Sequence, residues 1–136
     1  MAEVFQLEIV TPEKQEVSDT AEEIQIPGKN GYLGILPGHA PLITELSVGE
    51  ITYRKGIHTN YLSVACGFAE VLPDKVTILA EAAERPEEID VNRAREAKRR
   101  AEERLKSQDP DIDFERALYA LKRADVRLDV AAKKHS

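Results

Sequence analysis

At Pro86 the spacing of apolar residues changes, and that change divides the chain before any other question is asked of it. Upstream, short runs alternate with period two: Phe5-Gln6-Leu7-Glu8-Ile9, Ile51-Thr52-Tyr53, Tyr61 to Ala65, Phe68 to Leu72 and Lys75 to Leu79. Such alternation puts one face of an extended segment in a core and the other in water, so these runs predict strands. Turn formers separate them at Gly28-Lys29-Asn30-Gly31, Pro37-Gly38, Lys55-Gly56 and Pro73-Asp74. Many short strands in about 80 residues, with no helical window, predict an antiparallel β-sandwich or flattened barrel over residues 1–84.

Residues 85–89 form a charged linker around Pro86, and from Asp90 apolar residues recur at steps of three and four. Val91, Ala94, Ala97, Ala101 and Leu105 make one stripe; Ala117, Leu118, Leu121, Ala124, Leu128 and Ala131 make another. Ser107-Gln108-Asp109-Pro110-Asp111 breaks the pattern between them, so residues 90–136 predict an antiparallel two-helix hairpin. The expected class is therefore α+β in two parts. The first stripe is mostly alanine and buries little, at about 25 cal/mol per Å² of apolar area, so the hairpin is expected to be marginal alone.

Charge follows the same division. Residues 1–89 hold 6 Lys/Arg against 15 Asp/Glu, or −9, whereas residues 90–136 hold 13 against 10, or +3. The basic half is no nucleic-acid arm, because its cations alternate with acids and its aromatics are only Phe114 and Tyr119. No run approaches a membrane span, and Met1-Ala2-Glu3-Val4-Phe5 lacks the pattern of a signal peptide, so a soluble, unprocessed protein is expected. Cys66, the single cysteine, is expected as a small buried hydrophobe in a reducing compartment.

Catalytic signatures do not emerge. His39, His58 and His135 are scattered and make no metal spacing with Cys66, so neither a metal site nor a metal-dependent phosphohydrolase is expected. Gly28-Lys29 lacks the upstream glycine and the following Ser or Thr of a phosphate loop. The hairpin is more informative, because it opens each helix with the same phrase: Ile89-Asp90-Val91-Asn92-Arg93-Ala94 and Ile112-Asp113-Phe114-Glu115-Arg116-Ala117. Asp serves as N-cap and Ile as one half of a hydrophobic staple. The arginine is left over, since a cation in the first turn opposes the helix dipole and calls for an anion nearby.

Arg116, Arg123 and Arg127 share one face of the second helix. Folding the hairpin about residues 107–111 sets Asp90 and Arg93 level with residues near 128 and 125, so Arg93, Arg123 and Arg127 converge at the start of the first helix. Spacing leaves two outcomes open there. One is a surface ion-pair network with Asp90 and Glu84; the other is a bound phosphate at a helix N-terminus.

The phrase Gly31-Tyr32-Leu33-Gly34-Ile35-Leu36-Pro37-Gly38-His39-Ala40-Pro41-Leu42 is expected as a turn system with exposed apolar residues, suited to a protein contact. Together with Ser63 to Val71 and the hairpin that opens on IDVNRA, it resembles the epsilon-subunit family of bacterial and chloroplast F-type ATP synthases over essentially the whole chain. The resemblance implies a noncatalytic rotor subunit that couples proton flow to ATP synthesis. Its sandwich would sit on the gamma subunit beside the c-ring, and its hairpin would fold down or extend toward the alpha and beta subunits and inhibit ATP hydrolysis. It also implies ATP as a regulatory ligand with no required cofactor: Asp90, Arg93 and Ala94 match the family's ATP motif, and Glu84, Arg116, Arg123 and Arg127 match accompanying positions. Peripheral attachment at the cytoplasmic face of the bacterial plasma membrane, through the complex alone, and a monomeric isolated subunit follow from the same likeness. Some relatives carry an acid at the position of Tyr32, so their c-ring contact there is not implied. The rival expectation is a free-standing nucleotide-binding sensor of the same fold.

Overall fold

The computed structural model describes residues 3–135, with side chains through Lys133. The chain falls into two compact units that part between Glu84 and Arg85.

The first unit is a β-sandwich of eight strands: β1 (Phe5–Val10), β2 (Gln15–Ala21), β3 (Glu23–Gly28), β4 (Gly31–Ile35), β5 (Leu42–Leu46), β6 (Gly49–Lys55), β7 (His58–Val71) and β8 (Lys75–Glu84). Hydrogen bonding runs β2-β1-β8-β7-β5-β3-β4, and β6 closes the sheet by pairing with both β3 and β7. All pairs are antiparallel except β1 with β8, which are parallel and set Leu7 beside Val76 and Ile9 beside Ile78. Alternation works as expected on these strands. Phe5, Leu7 and Ile9 of β1 and Val76, Ile78 and Ala80 of β8 are buried, joined by Ile24, Ile26, Ile51, Leu62 and Val71.

Three sequence expectations change. The 31–42 stretch is not one turn system, because Gly31–Ile35 pairs with β3 as a hairpin strand and Leu42 opens β5. Ile35 is buried and Leu33 and Leu42 pack on the core, leaving Tyr32 and Leu36 exposed. Secondly, the runs Tyr61 to Ala65 and Phe68 to Val71 lie on one 14-residue strand, His58–Val71, instead of two. The first half of β7 pairs with β6 and the second with β5, and the change of partner falls at Cys66 and Gly67, both at positive φ (55° and 136°). That kink accounts for the third change: Cys66 is turned out of the alternation and is only half-buried.

The second unit begins with a 3-10 turn, Pro86–Glu88, inside the expected linker. Arg85 donates its N–H to Glu88 Oε1 at 2.9 Å across it. Helix α1 (Val91–Lys106) and helix α2 (Phe114–Ala131) follow, with a final 3-10 turn at Ala132–His135. Between the helices Ser107 Oγ accepts from Asp109 N–H (3.1 Å) and Asp109 Oδ1 from Asp111 N–H (2.9 Å), which tightens the loop without burying it. The interhelical seam is small: Ala94 and Ala101 are buried on α1, and Ala117, Ala124 and Val130 on α2. The register expected from the loop matches Ala94 with Ala124 and Ala101 with Ala117, and all four are buried. An ion pair from Lys98 Nζ to Asp125 at 3.0 Å crosses the seam.

Candidate functional site

Both helix starts are built alike. Asp90 Oδ1 accepts the N–H of Arg93 at 3.0 Å, and Asp113 Oδ1 accepts the N–H of Arg116 at 3.0 Å. Each carboxylate thus satisfies a donor that the helix geometry leaves open. Ile89 and Ala94 are both buried, the two positions of a hydrophobic staple. The expected Asp90–Arg93 partnership is therefore made to the backbone of Arg93. Its guanidinium is exposed and forms no ion pair among the described residues.

The hairpin sorts its other cations into occupied and available. Arg99 is held by Glu96 and Glu103 on its own helix, with Glu103 Oε1 at 2.6 Å, and Glu96 first among its partners raises the Arg99 pKa. Glu96 is correspondingly held below the usual carboxylate range by the Arg99 hydrogen bond. Arg100 lies 3.8 Å from Glu96. Lys98 is raised by its bond to Asp125. In contrast Arg95, Arg104, Arg116 and Lys122 are exposed and make no ion pair among the described residues. Arg123 Cζ lies over the Tyr119 ring, 5.7 Å from its centroid, within cation–π range. Arg127 is half-buried.

Placement separates the expected site residues into groups. Asp90, Arg93 and Ala94 occupy the start of α1, whereas Arg123 and Arg127 lie in the second half of α2. Arg116 does not join them, since it begins α2 at the loop end, about 16 Å along the helix from Arg127. Glu84 is the last residue of β8 and belongs to the sandwich, paired in register with Ser63.

Sequence reasoning missed a second feature, on the sandwich. Ile43 is 72% exposed, Phe68 55% and Leu79 56%. Phe68 pairs with Leu79 on β8 and with Glu45 on β5, so the aromatic stands at the middle of three adjacent strands. An apolar groove of about 590 Å³ opens beside it, lined by Val10, Pro12, Cys66, Gly67, Phe68 and Leu79 among others. The signal was present: Phe68 and Leu79 fall on the outward beat of strands whose inward beat is Ala69, Ile78 and Ala80.

No group of three or more His, Cys, Asp or Glu side chains among the described residues is arranged to hold a metal, and no described helix is long and apolar enough to cross a membrane. A β-sandwich with exposed apolar side chains on one outer face, followed by a two-helix hairpin of net positive charge, defines a small two-part protein. The chain belongs to the ATP synthase delta/epsilon chain family: the family's beta-sandwich domain matches residues 4–86 and its long alpha-helix domain residues 87–132. It is 72% identical over 111 residues to the ATP synthase epsilon chain of Koribacter versatilis, covering 82% of this chain and 78% of that one. The epsilon chain of Syntrophobacter fumaroxidans is 50% identical over 133 residues, covering 98% and 99%, and that of Bacillus cytotoxicus 46% over 130 residues, covering 96% and 98%. A chain in the Euglena gracilis mitochondrial ATP synthase structure (OSCP/F1/c-ring) superposes with a TM-score of 0.80 at 23% identity, covering 95% of this chain and 81% of that one, and so shares the fold. Membership makes the chain a noncatalytic subunit of the ATP synthase.

Proposed function

We propose that this subunit turns with the central stalk of a bacterial F-type ATP synthase, docks on the gamma subunit and c-ring through its sandwich, and uses its hairpin as a nucleotide-sensitive brake on ATP hydrolysis. It reaches the cytoplasmic face of the membrane through the complex. The regulatory half rests on the guanidinium of Arg93, exposed and without an ion pair among the described residues, at a capped helix start that a fold about residues 107–111 sets level with Arg123 and Arg127. Three cations and the free N–H groups of a first turn make a place for the phosphates of ATP. Asp90 holds that turn in shape, and Ala94 keeps the helices close beside it. Arg116, at the loop end of α2, stands outside this group, and its part is smaller.

The inhibitory half rests on charge. The extended hairpin offers Lys122, Arg95 and Arg104, cations with no ion-pair partner among the described residues, to acidic surface on the alpha and beta subunits. Such contacts weaken with salt. A ligand that binds only the folded hairpin stabilises it by RT ln(1 + [L]/Kd), so plentiful ATP would hold the hairpin down and release the brake.

Calorimetry of the isolated full chain with ATP tests the nucleotide site. Binding at millimolar or lower nucleotide is expected, weakened at least about tenfold in Arg93→Ala and Arg127→Ala by the loss of a charge-assisted phosphate contact. Equal binding by wild type and Arg93→Ala would reduce IDVNRA to a helix cap. Co-purification separates the rotor subunit from a free-standing nucleotide sensor, because only the former comes down with gamma from detergent-solubilised membranes.

A further inference from the structure

The two I-D-x-x-R-A phrases open a longer repeat. Ile89–Leu105 set against Ile112–Leu128 shares Ile, Asp, Arg, Ala, Ala, Arg, Ala, Arg and Leu at the same places, matching Arg93 with Arg116, Arg100 with Arg123 and Arg104 with Arg127. Each helix therefore carries arginine at its third, tenth and fourteenth residues. In an antiparallel hairpin this repeat produces a near-twofold relation. By that relation Arg116 is matched with Arg104 at the loop end, and both line one cavity there. The buried alanines obey the same relation, Ala94 and Ala101 corresponding to Ala117 and Ala124.

At the loop end the structure contains a cavity of about 330 Å³. Its lining is Ile112, Asp113, Arg116 and Ala117 of the second phrase, with Asp111 before it and Arg104 from the facing helix. The guanidiniums of Arg104 and Arg116 form no ion pair among the described residues, although Lys98, Arg99 and Arg100 on the same hairpin do. Asp113 already accepts the Arg116 N–H, and Asp111 is the other acid in the lining. The volume sits at the small end of ligand pockets, which suits a phosphate or diphosphate group.

We infer that this cavity is a second anion site, in which Arg104 and Arg116, one from each helix, clamp a phosphate-bearing ligand. Guanidinium forks match phosphate oxygens two at a time, and two forks from opposite helices are brought together only while the hairpin is closed. Asp111 and Asp113 both repel the ligand, so the site is weaker than its arginines alone would make it. A free inorganic diphosphate and the phosphate tail of a nucleotide share this chemistry. The inference stands apart from the ATP site proposed at the start of α1, because it uses different arginines at the opposite end of the hairpin.

The test is a titration of the ¹⁵N-labelled full chain with inorganic pyrophosphate and, separately, with ATP, following amide shifts by NMR. Pyrophosphate is expected to give saturable shifts at Phe114 to Ala117 and at Arg104. Arg104→Ala/Arg116→Ala should weaken that binding at least about tenfold, as loss of two charge-assisted contacts requires. Both residues are exposed, so the fold should survive, and Arg104→Lys/Arg116→Lys, which keeps charge but not the forks, should bind between the two. Asp111→Asn should tighten binding several-fold, an effect that a purely structural role would not give. Equal loop-end shifts with ATP identify the nucleotide's phosphate tail as the ligand, and shifts with pyrophosphate alone identify the free anion. Absence of saturable loop-end shifts, or their persistence in the double Ala variant, overturns the inference. Shifts at Arg93 report the other site independently.

Discussion

At Gly67 the chain has no room for a side chain. A Cβ there would lie 2.0 Å from the Leu79 carbonyl oxygen and 2.8 Å from Ala80 Cα, at a φ of 136° that side chains rarely adopt. Gly67→Ala is expected to destabilise the sandwich by about 3 kcal/mol or more, the range of strained backbone and overpacked core changes, read from urea denaturation. Gly34→Ala, which meets open space and has ordinary φ, should stay near wild type. A second residue-scale prediction concerns acid. The Gly56 N–H, at 3.0 Å, and then the Arg54 guanidinium, at 2.5 Å, hold the Glu22 carboxyl below its ordinary 4.5. A carboxylate lowered by folding adds stability that is present above about 4.5 and lost as pH falls through the folded value. Glu22→Gln should therefore flatten the decline of sandwich stability below that pH, by a small margin because its Arg54 partner is open to solvent and the pair is screened. Residue-level legibility was uneven for a physical reason. Asp90 and Asp113 as caps could be read directly, since capping is local; the exposure of Cys66 could not, because it depends on where β7 changes partners.

At the scale of elements, the helices were legible because their 3.6 period is unbroken and their caps and Pro110 mark the ends. Strands β2 and β3 went unread: QEVSDTA and EIQIPG carry so many polar residues and turn formers that only pairing with β1, β4 and β6 makes them strands. In β4 and β5 the glycines and prolines of GYLGILPGHAPL outweighed an alternation only a few residues long. The seam of the hairpin was legible in composition, and its alanines carry a prediction. Ala117 and Ala101 are each 2% exposed on the seam, so Ala117→Leu must push the helices apart. Overpacking of this kind costs about 1–3 kcal/mol, which should appear as lost amide-exchange protection across α1 and α2. Exposed Leu118→Ala should leave protection unchanged. If ATP binds only the closed hairpin, Ala117→Leu also lowers its apparent affinity without touching a phosphate contact.

For the whole molecule, the division between Glu84 and Arg85 predicts that a chain ending at Glu84 keeps its fold. Its core, from Phe5 to Ala83, lies entirely within the sandwich, so its thermal midpoint should match that of the full chain. Residues 85–136 alone bury five small side chains besides Ile89 and should unfold at much lower denaturant. The two halves should then separate in function as they do in structure. Phe68 and Leu79 make an apolar outer face larger than a lone exposed residue would give, and interface cores are dominated by such anchors. Phe68→Glu/Leu79→Glu buries two charges in any partner that docks there, and is expected to weaken gamma binding by at least about a hundredfold while leaving ATP binding to the isolated chain intact. Deleting residues 89–136 should do the reverse, keeping gamma binding and raising ATP hydrolysis by the assembled enzyme. Reconstitution of the two variants side by side, with gamma pull-down and ATPase rate as the readouts, decides the matter. Intact gamma binding by the charged-face variant would move the docking surface elsewhere on the sandwich, and an unchanged hydrolysis rate in the deletion would leave the hairpin without its role as a brake.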